Sequence, residues 1–108
     1  MVSDLERLVA IEEIHQLKAR YYRFMDTKDW AGLETIFTGD CVFDMRSEAR
    51  DKSRAAEGLV IGAKAIAAAM RLAVEDLVTV HHGHMPEIEI TSATTAKGIW
   101  AMEDVLQW

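Results

Sequence analysis

Apolar positions at two spacings divide the chain into its elements. Ala10, Ile14, Leu17, Tyr21, Phe24 and Met25 recur at helical spacing and form one stripe, with Glu12, Glu13, Lys18, Arg20 and Arg23 mostly off it. Ser3 followed by Glu6 is a capping box, so a helix is predicted from about Asp4 to about Asp26. Thr27-Lys28-Asp29 breaks it, and Asp29 can cap a short second helix, Trp30 to Phe37. After a Gly39-Asp40 turn the period falls to two. Cys41 to Met45 reads as a strand, with Val42 and Asp44 on one face and Cys41, Phe43 and Met45 on the other. Arg46 to Glu57 is charged and lacks a period, as a solvated loop does. Leu59-Val60-Ile61 is a short strand ended by Gly62, and Ala63 to Leu77 is an alanine-rich helix with Ile66, Met70 and Val74 on one stripe. Val78 to Thr91 is a long strand in which Pro86 marks a bulge or an exposed edge. Ser92-Ala93-Thr94 turns the chain into a second long strand, Thr95 to Trp108, antiparallel to the first. Helices early and long strands late predict an α+β fold, a bent antiparallel sheet with helices on one face.

Length and charge narrow the function classes. A chain of 108 residues predicts one domain, residues 1–108. A net charge of −6 without a block of like charge argues against nucleic acid or an anionic membrane surface as partner. Cys41 is the sole cysteine, so no internal disulfide is expected and the usage fits a reducing cytoplasm. The opening Met-Val-Ser-Asp-Leu-Glu has no apolar signal core, and no apolar run approaches the roughly 20 residues that span a bilayer. The pattern still reads as strand at Leu106-Gln107-Trp108, which predicts further strands, truncated from this sequence or lying beyond it.

Candidate chemistry concentrates in one strand. His81, His82 and His84 fall within four residues, and imidazole is the side chain best suited to move a proton near neutral pH. Such a cluster is a proton-transfer site, a metal site or a wet edge. Alternation puts His82 and His84 on one face and His81 on the other. Nothing fixes a third metal ligand, since Glu87 and Glu89 have the opposite parity unless Pro86 bulges, so no metal is expected. His82 and His84 then line the outer sheet face or an oligomer contact, and His15 is an ordinary helix residue. Cys41 has no evident activator, and neither a glycine-rich phosphate loop nor a Ser-His-Asp signature is present.

Several stretches in order resemble a known family. Residues 11–30 (IEEIHQLKARYYRFMDTKDW), Asp40-Cys-Val-Phe-Asp44, Gly62-Ala-Lys-Ala-Ile66 and Thr79-Val-His-His-Gly-His84 resemble the SnoaL-like family of the nuclear-transport-factor-two-like superfamily, in its scytalone dehydratase, bile-acid dehydratase and dehydrochlorinase branch. The resemblance covers essentially the whole chain. It implies a cone-shaped curved sheet with helices on its concave side and an apolar cavity between them, and two further strands that this sequence lacks. It also implies a histidine–aspartate pair, matched here by His81 and Asp26, and a first-helix tyrosine, best matched by Tyr21. Helix geometry sets Tyr21 about 140° from Asp26, and Tyr22 shares that face better.

The expected function is a cofactor-free lyase, dehydratase or isomerase acting by proton abstraction on a small hydrophobic ring such as a polyketide, steroid or terpenoid. The alternative is a non-catalytic ligand-binding or scaffold protein of the same superfamily. Tyr22, Phe43, Met45, Met70, Trp100 and Met102 are the expected pocket lining, with packed core as their plain alternative. A homo-oligomer, dimer or trimer, is expected through the sheet.

Overall fold

The computed structural model describes residues 1–108. Helix α1 (Asp4–Asp26) starts on the expected capping box. Ser3 Oγ accepts the Glu6 N–H at 3.1 Å, and Glu6 Oε1 accepts the Ser3 N–H at 3.4 Å. It stops at Thr27, whose N–H and hydroxyl donate to the Arg23 carbonyl at 2.9 and 2.7 Å. Lys28 then turns the chain at φ +60°, a left-handed conformation that disfavours any residue with a Cβ.

Helix α2 (Trp30–Glu34) is capped by Asp29, whose Oδ1 accepts the Gly32 N–H at 2.8 Å. It ends three residues before the expected Phe37. Thr35 closes it by donating its hydroxyl to the Gly32 carbonyl at 2.6 Å, and Ile36 and Phe37 turn onto the core instead. Strand β1 (Val42–Asp44) pairs antiparallel with β2 (Leu59–Ile61), Phe43 opposite Val60. Between them lie two 3₁₀ turns, Arg46–Glu48 and Lys52–Gly58, where a loop was expected. The Arg46 guanidinium clamps Asp44 at 2.9 and 2.8 Å and holds its carboxyl at about 2, which stiffens the first turn. Helix α3 (Ala63–Val74) follows, three residues shorter than its pattern suggested.

The rest is one long bent hairpin. Strand β3 (Val78–Gly83) pairs with β6 (Met102–Gln107), and β4 (Glu87–Ile90) pairs with β5 (Ala96–Ile99). Between the two ladders, residues 84–86 face only residues 100–101, so the first strand carries one extra residue. Pro86 sits in this bulge, where its missing N–H leaves no ladder bond unmade. The bulge switches parity: Thr79 and His81 are the more buried residues of β3, Ile88 and Ile90 those of β4. One strand thereby turns its polar groups and its isoleucines toward the same side.

The architecture is α+β, as expected, but its strands form three two-stranded antiparallel ladders. No helix is long and apolar enough to cross a membrane. The core, Phe24, Met25, Leu33, Ile66, Ala67 and Met70, lies where the C-terminal half of α1 meets α2 and α3. In the hairpin Thr79 alone is buried.

Candidate functional site

The site forms where the end of α1 touches β3. Asp26 is the last residue of α1, and the αL turn at Lys28 carries the chain away from it. Its carboxylate meets β3 through three bonds. His81 Nδ1 lies 2.6 Å from Oδ1, the His81 backbone N–H donates to Oδ2 at 3.0 Å, and the Thr79 hydroxyl donates to Oδ1 at 2.9 Å. Lys28 Nζ donates in turn to Thr79 Oγ1 at 3.3 Å. Partial burial works to raise the Asp26 pKa. The backbone and ring bonds from His81, the Thr79 hydroxyl and the imidazole's charge outweigh burial, and the net direction is down. An ionised Asp26 beside Nδ1 requires a ring proton there, and in the neutral ring this leaves the Nε2 lone pair free.

Two tyrosines wall the imidazole, whose side chain is only 6% exposed. Tyr22 stacks on it, centroids 5.7 Å apart and planes 24° apart, while Tyr21 meets it edge-on at 6.4 Å. The helical offset between Tyr21 and Asp26 is met by this difference in pose: Tyr22 covers the ring and Tyr21 reaches past it. The Tyr21 hydroxyl points to Met70 Sδ at 3.9 Å. Burial, then the neighbouring Tyr22 and Asp104, push the Tyr21 phenol up to about 12, so it stays protonated through neutral pH. Burial also raises Tyr22, whose hydroxyl is buried without a hydrogen-bond partner. Gly83 makes room for that ring: a Cβ there would stand 2.3 Å from Tyr22 Cε2.

The other expected residues separate. Phe43, Met45 and Met70 line one apolar cavity of about 160 Å³ with Val60 and Ile66. Tyr22 and Trp100 line a second, of about 210 Å³, with Lys18 and His84. Met102, opposite Gly83, is about half exposed and borders neither. Tyr21 is the link between the first cavity and His81, through Met70 on one side and the imidazole edge on the other. His82 Nδ1 and His84 Nε2 each lie 3.8 Å from the exposed carboxylate of Glu103. No group of three histidine, cysteine or acidic residues stands close enough to hold a metal ion.

Three residues at the site escaped the sequence reading. Thr79 shares strand parity with His81, a signal that was available. Lys28 carried no signal, because its reach depends on its left-handed backbone. Asp104 lies opposite His81, with Oδ2 3.9 Å from Nε2. A hairpin folded about Ala93 without the bulge would have set Val105 there instead.

With this geometry in place, comparison with known families is informative: the SnoaL-like domain matches residues 6–108. The chain belongs to the SnoaL-like family. That family lies in the nuclear-transport-factor-two-like superfamily. Membership puts the chain among small ligand-binding or dehydratase- and isomerase-type proteins, and it gives the contact between the end of α1 and β3 a chemical setting.

Proposed function

We propose that the chain catalyses proton abstraction from a small hydrophobic ring substrate, in a dehydratase-type elimination or an isomerisation, without a cofactor. His81 is the base, Asp26 orients it, and Tyr21 is the donor to a substrate oxygen. The observation that supports this is the 2.6 Å contact between Asp26 Oδ1 and a nearly buried His81 Nδ1. An imidazole so fixed offers Nε2 as a base in one orientation, and Asp26 stabilises the imidazolium that forms. Asp104, 3.9 Å from Nε2, adds to that stabilisation.

In an elimination, the electrons of the broken C–H bond form the double bond as C–O breaks, and the leaving hydroxide takes a proton to become water. A phenol near 12 is a poor source for that proton. Imidazolium is intrinsically a far stronger acid. Tyr21 therefore polarises the oxygen by hydrogen bonding, and the abstracted proton returns from His81 to the leaving group. The test follows cyclic β-hydroxyketones and β,γ-unsaturated ketones in D₂O by proton NMR. Wild type should accelerate exchange or turnover, and His81→Gln and Asp26→Asn should slow it by roughly 10²–10⁴-fold. Equal rates for wild type and both variants would overturn the proposal.

A second reading, ligand binding without catalysis, is favoured by one observation: the cavity of Phe43, Met45 and Met70 does not include His81. Apolar rings that bind there and are recovered unchanged would select it. The setting belongs to the same proposal: cytoplasmic, in keeping with the single Cys41, and assembled as a homodimer or trimer. Assembly is supported by Val78, Val80 and Val105, which expose a row of apolar side chains on the hairpin. Light scattering would read the assembly state directly.

A further inference from the structure

Lys18 stands over three aromatic rings, where Arg23 stands over one. It lies one turn before the two tyrosines on α1, and its ammonium is 4.6 Å from the Tyr21 ring centroid, 5.1 Å from Tyr22 and 5.4 Å from Trp100. It makes no ion pair, whereas Arg46, Arg54 and Arg71 each hold a carboxylate. Burial lowers its pKa.

The cleft beside it is open and about 210 Å³ in volume, lined by His15, Lys18, Ala19, Tyr22, Gly83, His84, Pro86 and Trp100. Three of these are basic and none is acidic, in a chain whose net charge is −6. Two acids stand at the rim, Glu12 3.7 Å from His15 and Glu103 3.8 Å from His84, which leaves Lys18 as the lining cation without a carboxylate beside it. Tyr22 lines the cleft, while its hydroxyl is buried without a partner. Backbone geometry sets the aromatic walls: the Trp100 ring lies where a Cβ on Gly98 would stand, 2.4 Å away. An apolar cavity of about 150 Å³ is enough to admit a benzene ring, so this cleft has the size for one substituted ring.

From the unpaired ammonium, the aromatic walls and the absence of lining acids, we infer that this cleft is a binding subsite for a small aromatic carboxylate. The ring of the ligand packs between Trp100 and Tyr22, and its carboxylate accepts from the Lys18 ammonium. A charge-assisted bond away from bulk water is stronger than a neutral one, so the site should discriminate an acid from its amide. This subsite shares Tyr22 with the wall of the imidazole but does not include His81, and it is separate from the proton-transfer proposal, because binding is read without turnover.

The probes are benzoate and its neutral isostere benzamide, titrated into ¹⁵N-labelled protein. Wild type should bind benzoate roughly tenfold more tightly than benzamide, a difference of about 1.4 kcal/mol. Shifts should centre on the Trp100 indole, Gly83 and His84. Lys18→Met keeps the stem and removes the charge, and the preference should fall to within about twofold, while Lys18→Arg should retain it. Equal binding of the two probes by wild type, a preference that survives Lys18→Met in a folded variant, or shifts centred elsewhere would overturn the inference.

Discussion

The helical corner and the long hairpin are held by different physics. In the corner, Leu33 and Ile66 are almost wholly buried among Phe24, Met25, Ala67 and Met70. There, apolar area removed from water does the holding, at about 25 cal/mol per Å². The hairpin has no such core. Val78, Val80 and Val105 lie open on it, and its one buried residue is a threonine. What ties it to the corner at the site is the Asp26 carboxylate, with its bonds to His81 and Thr79. The same bonds that orient the imidazole therefore dock the strand that carries it. The proposed function and the docking are coupled at Asp26 and uncoupled at Leu33, and substitutions can separate the two.

The largest stability loss should come from the corner. Leu33→Ala or Ile66→Ala should cost about 2–5 kcal/mol in urea unfolding, since each leaves a cavity in close packing. If either costs less than Asp26→Ala, the division of labour is wrong. Asp26→Ala should come next, at about 1–3 kcal/mol, because it strands the buried Thr79 hydroxyl and the His81 N–H. Unlike the core variants, it should loosen the hairpin first, seen as faster amide exchange at His81 than at Ile66. Gly83→Ala should cost about 1–3 kcal/mol by driving Tyr22 off the imidazole, with the loss visible as a changed ring-current shift of His81.

Acid sharpens the same contrast. The folded Asp26 pKa lies below its ordinary value. Its contribution is thus fully present above the ordinary carboxylate range and is lost as pH falls through the folded value. Wild type should therefore lose more stability on acidification than Asp26→Asn. The smallest effect belongs to Lys28. Lys28→Gly relieves the positive φ, worth about 1 kcal/mol, but gives up the bond to Thr79, so net stability should change little. A large loss would promote Lys28 to an essential part of the docking.

How much of this was legible depends on how local each cause is. The α1 stripe, its capping box and the break at Lys28 are written in adjacent residues, and the helix runs as expected from Asp4 to Asp26. The end of α2 was missed because the Thr35 hydroxyl bond to Gly32 competes with the helix at a single position, and α3 gives way after Val74 to a turn closed by the Leu77 N–H on the Val74 carbonyl. The pairing of Asp26 with His81 came from the family resemblance, since no local pattern links residues that far apart. Asp104 was invisible because the hairpin register depends on where Pro86 places its one extra residue. The division of Phe43, Met45 and Met70 from Trp100 was equally hidden: strand parity gives the face of a residue but not which side of α1 that face meets.

The central claim is that Asp26 fixes His81 with its proton on Nδ1 and its Nε2 lone pair free. Long-range ¹H–¹⁵N correlation of the imidazole in its neutral form reads this directly, without a substrate. Wild type should display Nδ1 protonated and Nε2 unprotonated, and Asp26→Ala should shift the population toward the Nε2–H tautomer. A wild-type imidazole protonated on Nε2, or one unchanged by Asp26→Ala, would contradict the account.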